Sequence, residues 1–191
     1  MKVCGGEFRG RTILTPRGDR TRPTSGMVRE ALANVLMNNI DGARVIDMFA
    51  GCGSVGIELI SRGAEFCYYV EVNRKVSAIL TENLRTFNIM DKGKLITAPA
   101  DKIVTNWQES SCDIIFLDPP FAKLDEYLNV LNALSTSQIT SSDSIIIAQH
   151  DLRLILPDEI GKLKRTRTQK LGDNCLSYYS LAKLVQGSVL E

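Results

Sequence analysis

The chain has 191 residues, of which 44% are hydrophobic and 24% charged, values ordinary for one globular domain. A chain of this length buries roughly 70% of its unfolded surface, so its core needs neither disulfide nor metal. Its net charge of +1 hides a polarised distribution: residues 1–30 sum to +4 and residues 162–170 to +5, leaving −8 for the rest, which suits a phosphate-bearing partner on one face.

Residues 1–26 read as a Gly/Arg/Pro/Thr-rich arm, with Gly5-Gly6, Arg9-Gly10-Arg11 and Arg22-Pro23-Thr24 and a short strand near Thr12–Leu14. The first residues are polar and basic, with no apolar signal segment, and no run approaches the roughly 20 apolar residues of a membrane span. Five widely spaced cysteines without a CxxC pair, and a single histidine, argue against a disulfide framework and a metal site. These features predict a cytoplasmic protein with reduced thiols, no metal and no membrane association. Met27, Val28, Ala31, Leu32, Val35 and Leu36 then recur at helical spacing, with Pro23-Thr24-Ser25 as the cap.

From residue 44 the pattern alternates. Strands are predicted at 44–49, 65–70, 94–98, 113–117 and 144–148, and helices at 54–62, 74–87 and 123–134. That alternation means right-handed crossovers and a parallel sheet covered on both faces. Residues 164–170 and 176–184, joined by Leu171-Gly172-Asp173-Asn174, predict a terminal antiparallel hairpin. The expected fold is α/β: a Rossmann-like, mostly parallel seven-stranded sheet with helices on both faces, the hairpin at one edge, and a basic arm and helix in front. We take 1–191 as one domain, with the arm and helix at 1–40 and the core at 41–191.

Two motifs carry chemistry. The first is Asp47-Met48-Phe49-Ala50-Gly51-Cys52-Gly53-Ser54-Val55-Gly56, where Gly51, Gly53 and Gly56 fit GxGxxG at a strand-to-helix turn. Glu71, 20 residues after Gly51, ends the second strand where a carboxylate can accept both ribose hydroxyls of an adenosine. Asp47 would repel a pyrophosphate but suits the sulfonium and ammonium of S-adenosyl-L-methionine. Asp101 is placed either against the adenine amino group or as a helix N-cap. The second motif is Ile114-Ile115-Phe116-Leu117-Asp118-Pro119-Pro120-Phe121. A buried strand delivers an acid and two prolines to the sheet's carboxyl edge, where open α/β sheets bind ligands. The Asp118 carboxylate and Pro119 carbonyl can accept both protons of an exocyclic amine, Pro120 stiffens the loop, and Phe121 can stack a planar base.

Val45–Gly53 together with Asp118-Pro119-Pro120-Phe121 resemble the class I adenosylmethionine-dependent amino-methyltransferases. Gly5-Gly6-Glu7-Phe8-Arg9-Gly10-Arg11, Arg22-Pro23-Thr24 and Val28-Arg29-Glu30-Ala31-Leu32 narrow this: the chain resembles the RsmD family, which methylates guanine N2 in bacterial 16S ribosomal RNA. The resemblance implies S-adenosyl-L-methionine as cofactor, with Asp47, Phe49, Gly51, Gly53, Glu71, Asp101 and Asp118 lining its site. It implies as substrate the 16S rRNA of the small ribosomal subunit or an assembly intermediate. Arg9, Arg11, Arg22 and Arg29 of the arm are expected to engage cofactor or RNA, and Lys164, Arg165 and Arg167 to hold RNA phosphates. Cys52 stands where the family has serine, and Ala33 where it has phenylalanine. Other readings are an amino-methyltransferase acting on adenine N6 in DNA or on a protein glutamine, a nicotinamide-dependent oxidoreductase, and an RNA-binding module without catalysis. His150 is expected at the surface or in a loop, Trp107 as a helix-end packing residue, one ring of Tyr178-Tyr179 in the core, and Cys4, Cys67, Cys112 and Cys175 as small buried fillers.

Overall fold

The alternating runs become one mixed sheet in the computed structural model, which describes residues 1–16, 24–119 and 124–182. After the arm and helix α1 (Gly26–Val35) come β1 (Arg44–Asp47), α2 (Ser54–Ser61), β2 (Phe66–Val70), α3 (Arg74–Phe87), β3 (Gly93–Ile96), α4 (Ala100–Thr105), β4 (Cys112–Leu117), α5 (Leu124–Leu134) and β5 (Thr140–Asp151). The strands β6 (Glu159–Ile160), β7 (Leu163–Leu171) and β8 (Asn174–Leu181) follow. The sheet order is β3-β2-β1-β4-β5-β8-β7-β6, with β1 to β5 parallel and the last three strands antiparallel. Among the described residues the sheet therefore has eight strands, not seven: β6 pairs Glu159 and Ile160 with Lys164 and Leu163, too short a run to announce itself in sequence.

Why β4 reads as unbroken hydrophobicity is now visible. Ile114, Ile115, Phe116 and Leu117 are at most 1% exposed because helices or the arm cover both faces. Val45, Ile114, Phe116 and Ile147 face one core, shared with α1, α2, α3 and arm residues Val3, Phe8 and Ile13. Ile46, Ile115, Leu117 and Ile146 face the other, under α4 and α5. The α3 stripe Val76, Leu80, Leu84 and Phe87 is fully or almost fully buried, each side chain contributing about 1.5–3 kcal/mol. Double coverage also corrects the expectation for the tyrosines: Tyr178 enters the first core and Tyr179 the second. Trp107 sits just past α4, edge-on to Tyr68 at 4.7 Å. Cys67, Cys112 and Cys175 are buried, whereas Cys4 is only partly so.

The arm folds back on itself. Lys2 bridges Thr12, Val3 N–H donates to Arg11 carbonyl at 3.0 Å, and Ile13 N–H to Met1 carbonyl at 2.7 Å. Glu58 of α2, 1% exposed, accepts from the Cys4 and Gly5 amides, both at 2.8 Å, so a buried carboxylate fastens the arm to the core. Ser25 caps α1 through Val28 N–H at 3.3 Å, as expected. Strand order reverses between β1 and β4, and there the topology leaves a crevice at the carboxyl ends.

Candidate active site

Asp47 ends β1 beside β4 and is 2% exposed. Its Oδ1 accepts the Phe49 amide at 3.3 Å. Burial lifts its carboxyl to about 8, with the neighbouring Asp118 and Glu71 carboxylates adding to the lift. Near neutral pH this acid is therefore mostly protonated, and a cation placed against it would expel the proton.

The glycine loop turns because its glycines can. Gly53 adopts φ +84° as the N-cap of α2, and a Cβ there would stand 2.3 Å from Leu80 Cδ1. Gly51 has φ +53°, and a Cβ built on it would meet no atom within 4 Å, because its outward side is the cavity itself. Gly51 N–H donates to Glu71 Oε2 at 3.0 Å, and Glu71 Oε1 accepts the Asn73 amide at 2.7 Å, so the acid at the end of β2 is locked beside the loop. From below, the fully buried Asn83 of α3 donates to the carbonyls of Cys52 and Leu14, both at 2.9 Å, tying loop and arm together.

Across the crevice, Asp118 follows β4 half-buried, with Pro119 buried behind it. Thr24 of the arm donates its hydroxyl to Asp118 Oδ2 at 3.2 Å. Pro120 and Phe121 lie outside the described residues, as does Arg22. A single cavity of about 840 Å³ joins the two motifs. Asp47, Phe49, Gly51, Glu71 and Asp101 line one part, and Asp118, Pro119, Gln149 and His150 line the other. Gly53 lies behind the wall, positioning the loop. Asp101 does not cap α4: the helix starts at Ala100 with Pro99 as its N-cap, two residues earlier than that role requires, leaving Asp101 exposed in the first turn at the rim.

His150 is not a surface residue. It lies in β5, 5% exposed, with Nε2 2.9 Å from Ser177 Oγ and Nδ1 2.9 Å from the Asp151 carbonyl oxygen. Burial lowers its pKa, which keeps the ring neutral.

The basic residues divide sharply. Arg29, expected to engage cofactor or RNA, is 2% exposed, donates to the Thr24 and Lys2 carbonyls at 2.6 Å, and pairs with Glu58 at 3.5 Å. It is an internal brace, out of reach of RNA. Arg9 is exposed; Arg11 is exposed too, its guanidinium stacked 4.5 Å over Phe87. Lys164 and Arg167 are exposed on β7, whereas Arg165 is occupied by Asp158 and the Leu156 carbonyl. Sequence reasoning missed Thr24 as a partner of Asp118, and Glu58, Asn83 and Gln149 altogether. A lone acid in the wholly buried helix 54–61 was the available signal for Glu58.

The family model described as Conserved hypothetical protein 95 matches residues 1–180. YlbH of Bacillus subtilis (strain 168), provisionally named an rRNA methyltransferase, is 32% identical over 181 residues, 94% of this chain and 98% of its own. Ribosomal RNA small subunit methyltransferase D of Escherichia coli (strain K12) is 35% identical over 133 residues, 69% of this chain and 66% of its own. Among solved structures, yhhF from Escherichia coli, provisionally called a methyltransferase, superposes with a TM-score of 0.84 at 26% identity, covering 95% of this chain and 97% of that one.

Proposed function

The chain belongs to the RsmD family of rRNA methyltransferases, the family described as Conserved hypothetical protein 95, and we propose that it transfers a methyl group from S-adenosyl-L-methionine to the exocyclic N2 of a guanine in 16S rRNA, within the small ribosomal subunit or an assembly intermediate. One observation carries the reading: the acid-flanked glycine loop and the Asp118-Pro119 turn open into the same cavity from neighbouring strands.

The residues present fit the cofactor. The open side of Gly51 admits close approach to the backbone, Glu71 offers a carboxylate suited to ribose hydroxyls, and Asp47 is a buried acid that a cation would recharge. When bound, S-adenosyl-L-methionine supplies an electrophilic methyl on a positively charged sulfur. A dinucleotide pyrophosphate would instead meet the acids Asp47 and Glu71. On the acceptor side, Asp118 and the Pro119 carbonyl take the two N–H bonds of the amine and turn its lone pair towards the cofactor. Phe121 would stack the base, which must leave its helix to enter. His150, kept neutral by its burial, is not needed as a base. Orientation does most of the work, since the leaving group is already good.

Cofactor binding should release a proton. With Asp47 at about 8, binding at pH 7 is expected to release about one proton per cofactor, and affinity should rise with pH until it levels near 8. Calorimetry in buffers of different ionisation enthalpy measures this, and Asp47→Asn should release none.

RNA would lie along the exposed Arg9, Arg11, Lys164 and Arg167. Lys164→Ala and Arg167→Ala are each expected to lower the slope of log K against log salt by about 1. The acceptor is tested with tritiated S-adenosyl-L-methionine offered small subunits lacking the mark, duplex DNA, or a glutamine-bearing protein. Label only in the subunit RNA is the expected result, and label in either other acceptor would replace this reading.

A further inference from the structure

Gln149 follows Ala148, which pairs with Leu117, so it stands one step up β5 beside Asp118, the residue that follows β4, where the strands lie about 4.8 Å apart. Ile147 and Phe116, two residues before each, share one core, and so does Leu176 opposite Gln149; the strand alternation therefore raises Gln149 and Asp118 on the same face. Gln149 is 8% exposed and lines the cavity, yet its Oε1 has no hydrogen-bond partner among the described residues. Buried carboxamides are normally satisfied, and one left open in a ligand cavity points to the ligand. The strand end itself is fixed, because Tyr127 donates its hydroxyl to the Gln149 carbonyl at 2.6 Å.

We propose that Gln149 reads the Watson–Crick edge of the acceptor base next to the amine that Asp118 holds. This rests on the guanine reading above. Guanine presents N1–H beside its amino group and O6 beyond it, in the sequence donor, donor, acceptor. With N2 at Asp118, the Gln149 side chain can accept N1–H through Oε1 and donate to O6 through Nε2, satisfying both ends of the amide. A base whose N1 carries only a lone pair can form one of those bonds at most, after the amide turns over. The second bond is the selective one, and a bidentate contact of this kind separates bases by roughly tenfold to a hundredfold.

The test uses small subunits reconstituted with rRNA carrying either guanine or 2-aminopurine at the methylated position. 2-Aminopurine keeps the amine but lacks N1–H and O6. The expected result is a preference for guanine in kcat/KM of roughly tenfold to a hundredfold. Gln149→Ala should erase the preference: guanine, which loses two bonds, should fall roughly tenfold to a hundredfold further than 2-aminopurine, which loses one, with cofactor affinity changed by no more than about twofold. Gln149→Leu, which keeps the volume, should do the same, and Gln149→Glu, which keeps only the acceptor, should fall between. A preference that survives Gln149→Leu, or equal losses on both bases, overturns the inference while leaving the proposed function standing. A wild-type protein that methylates neither base overturns both.

Discussion

Asp118→Ala is expected to lower kcat for methyl transfer by about a thousandfold while leaving the affinity for S-adenosyl-L-methionine within a few-fold of wild type. The Asp118 carboxylate follows the strand beside β1 and opens into the cavity, and losing a positioned polar group of this type costs roughly 10²–10⁴ in rate. On the proposed reading the cofactor would be held mainly from the other side of the cavity, by Asp47, the Gly51 backbone and Glu71, so binding and chemistry should separate. Asp118→Asn keeps an acceptor oxygen but not the charge, and should lie between. Single-turnover transfer, measured beside equilibrium cofactor binding, distinguishes the outcomes: equal losses in both would mean that Asp118 serves the cofactor and not the amine.

Glu58→Ala is expected to destabilise the fold by about 3–5 kcal/mol, the usual consequence of removing one member of a buried ion pair. Glu58 accepts from the Cys4 and Gly5 amides at 2.8 Å, from Arg62 at 2.9 Å and from Arg29 at 3.5 Å. Its loss takes the carboxylate from the Arg29 guanidinium, 2% exposed, and the acceptor from two half-buried arm amides. For a chain of this size the melting temperature should fall by roughly 6–20 °C. Arg29→Met combined with Glu58→Met should recover part of that, because the fully buried charge goes with its partner while Arg62, 21% exposed, can still reach water. The consequence reaches the site: Arg29 holds the Thr24 carbonyl, and Thr24 holds Asp118. A melting temperature unchanged in Glu58→Ala would show that the arm is fastened some other way.

Local signals in the sequence located what local physics controls. The reading of α3 at 74–87 matches the structure because Asn73 caps its start, Asn88 turns left-handed at φ 56° at its end, and one strong apolar stripe lies between. For β5 the reading stopped at 144–148, where hydrophobicity stops, although the strand runs Thr140–Asp151. Its last residues are polar because they line the cavity, so the functional end of the strand was the part least visible as a strand. Asp47, Glu71 and Asp118 were legible because each directly follows or ends an apolar strand. Arg29 was misplaced because its charge was read without its phase: it shares the helical face of Leu32 and Leu36, both fully buried. The bonds of Glu58 to the Cys4 and Gly5 amides, of Asn83 to loop and arm, and of Thr24 to Asp118 join residues 31 to 94 positions apart, and no local pattern announces them.

The central claim is that this cavity presents a guanine amino group to an electrophilic methyl. The most direct measurement is nucleoside mass spectrometry of 16S rRNA from small subunits lacking the mark, after incubation with the protein and S-adenosyl-L-methionine. The account predicts one new N2-methylguanosine per rRNA, absent with Asp118→Ala. Methyl found on adenine N6, or on ring carbons or ribose oxygens, would contradict it.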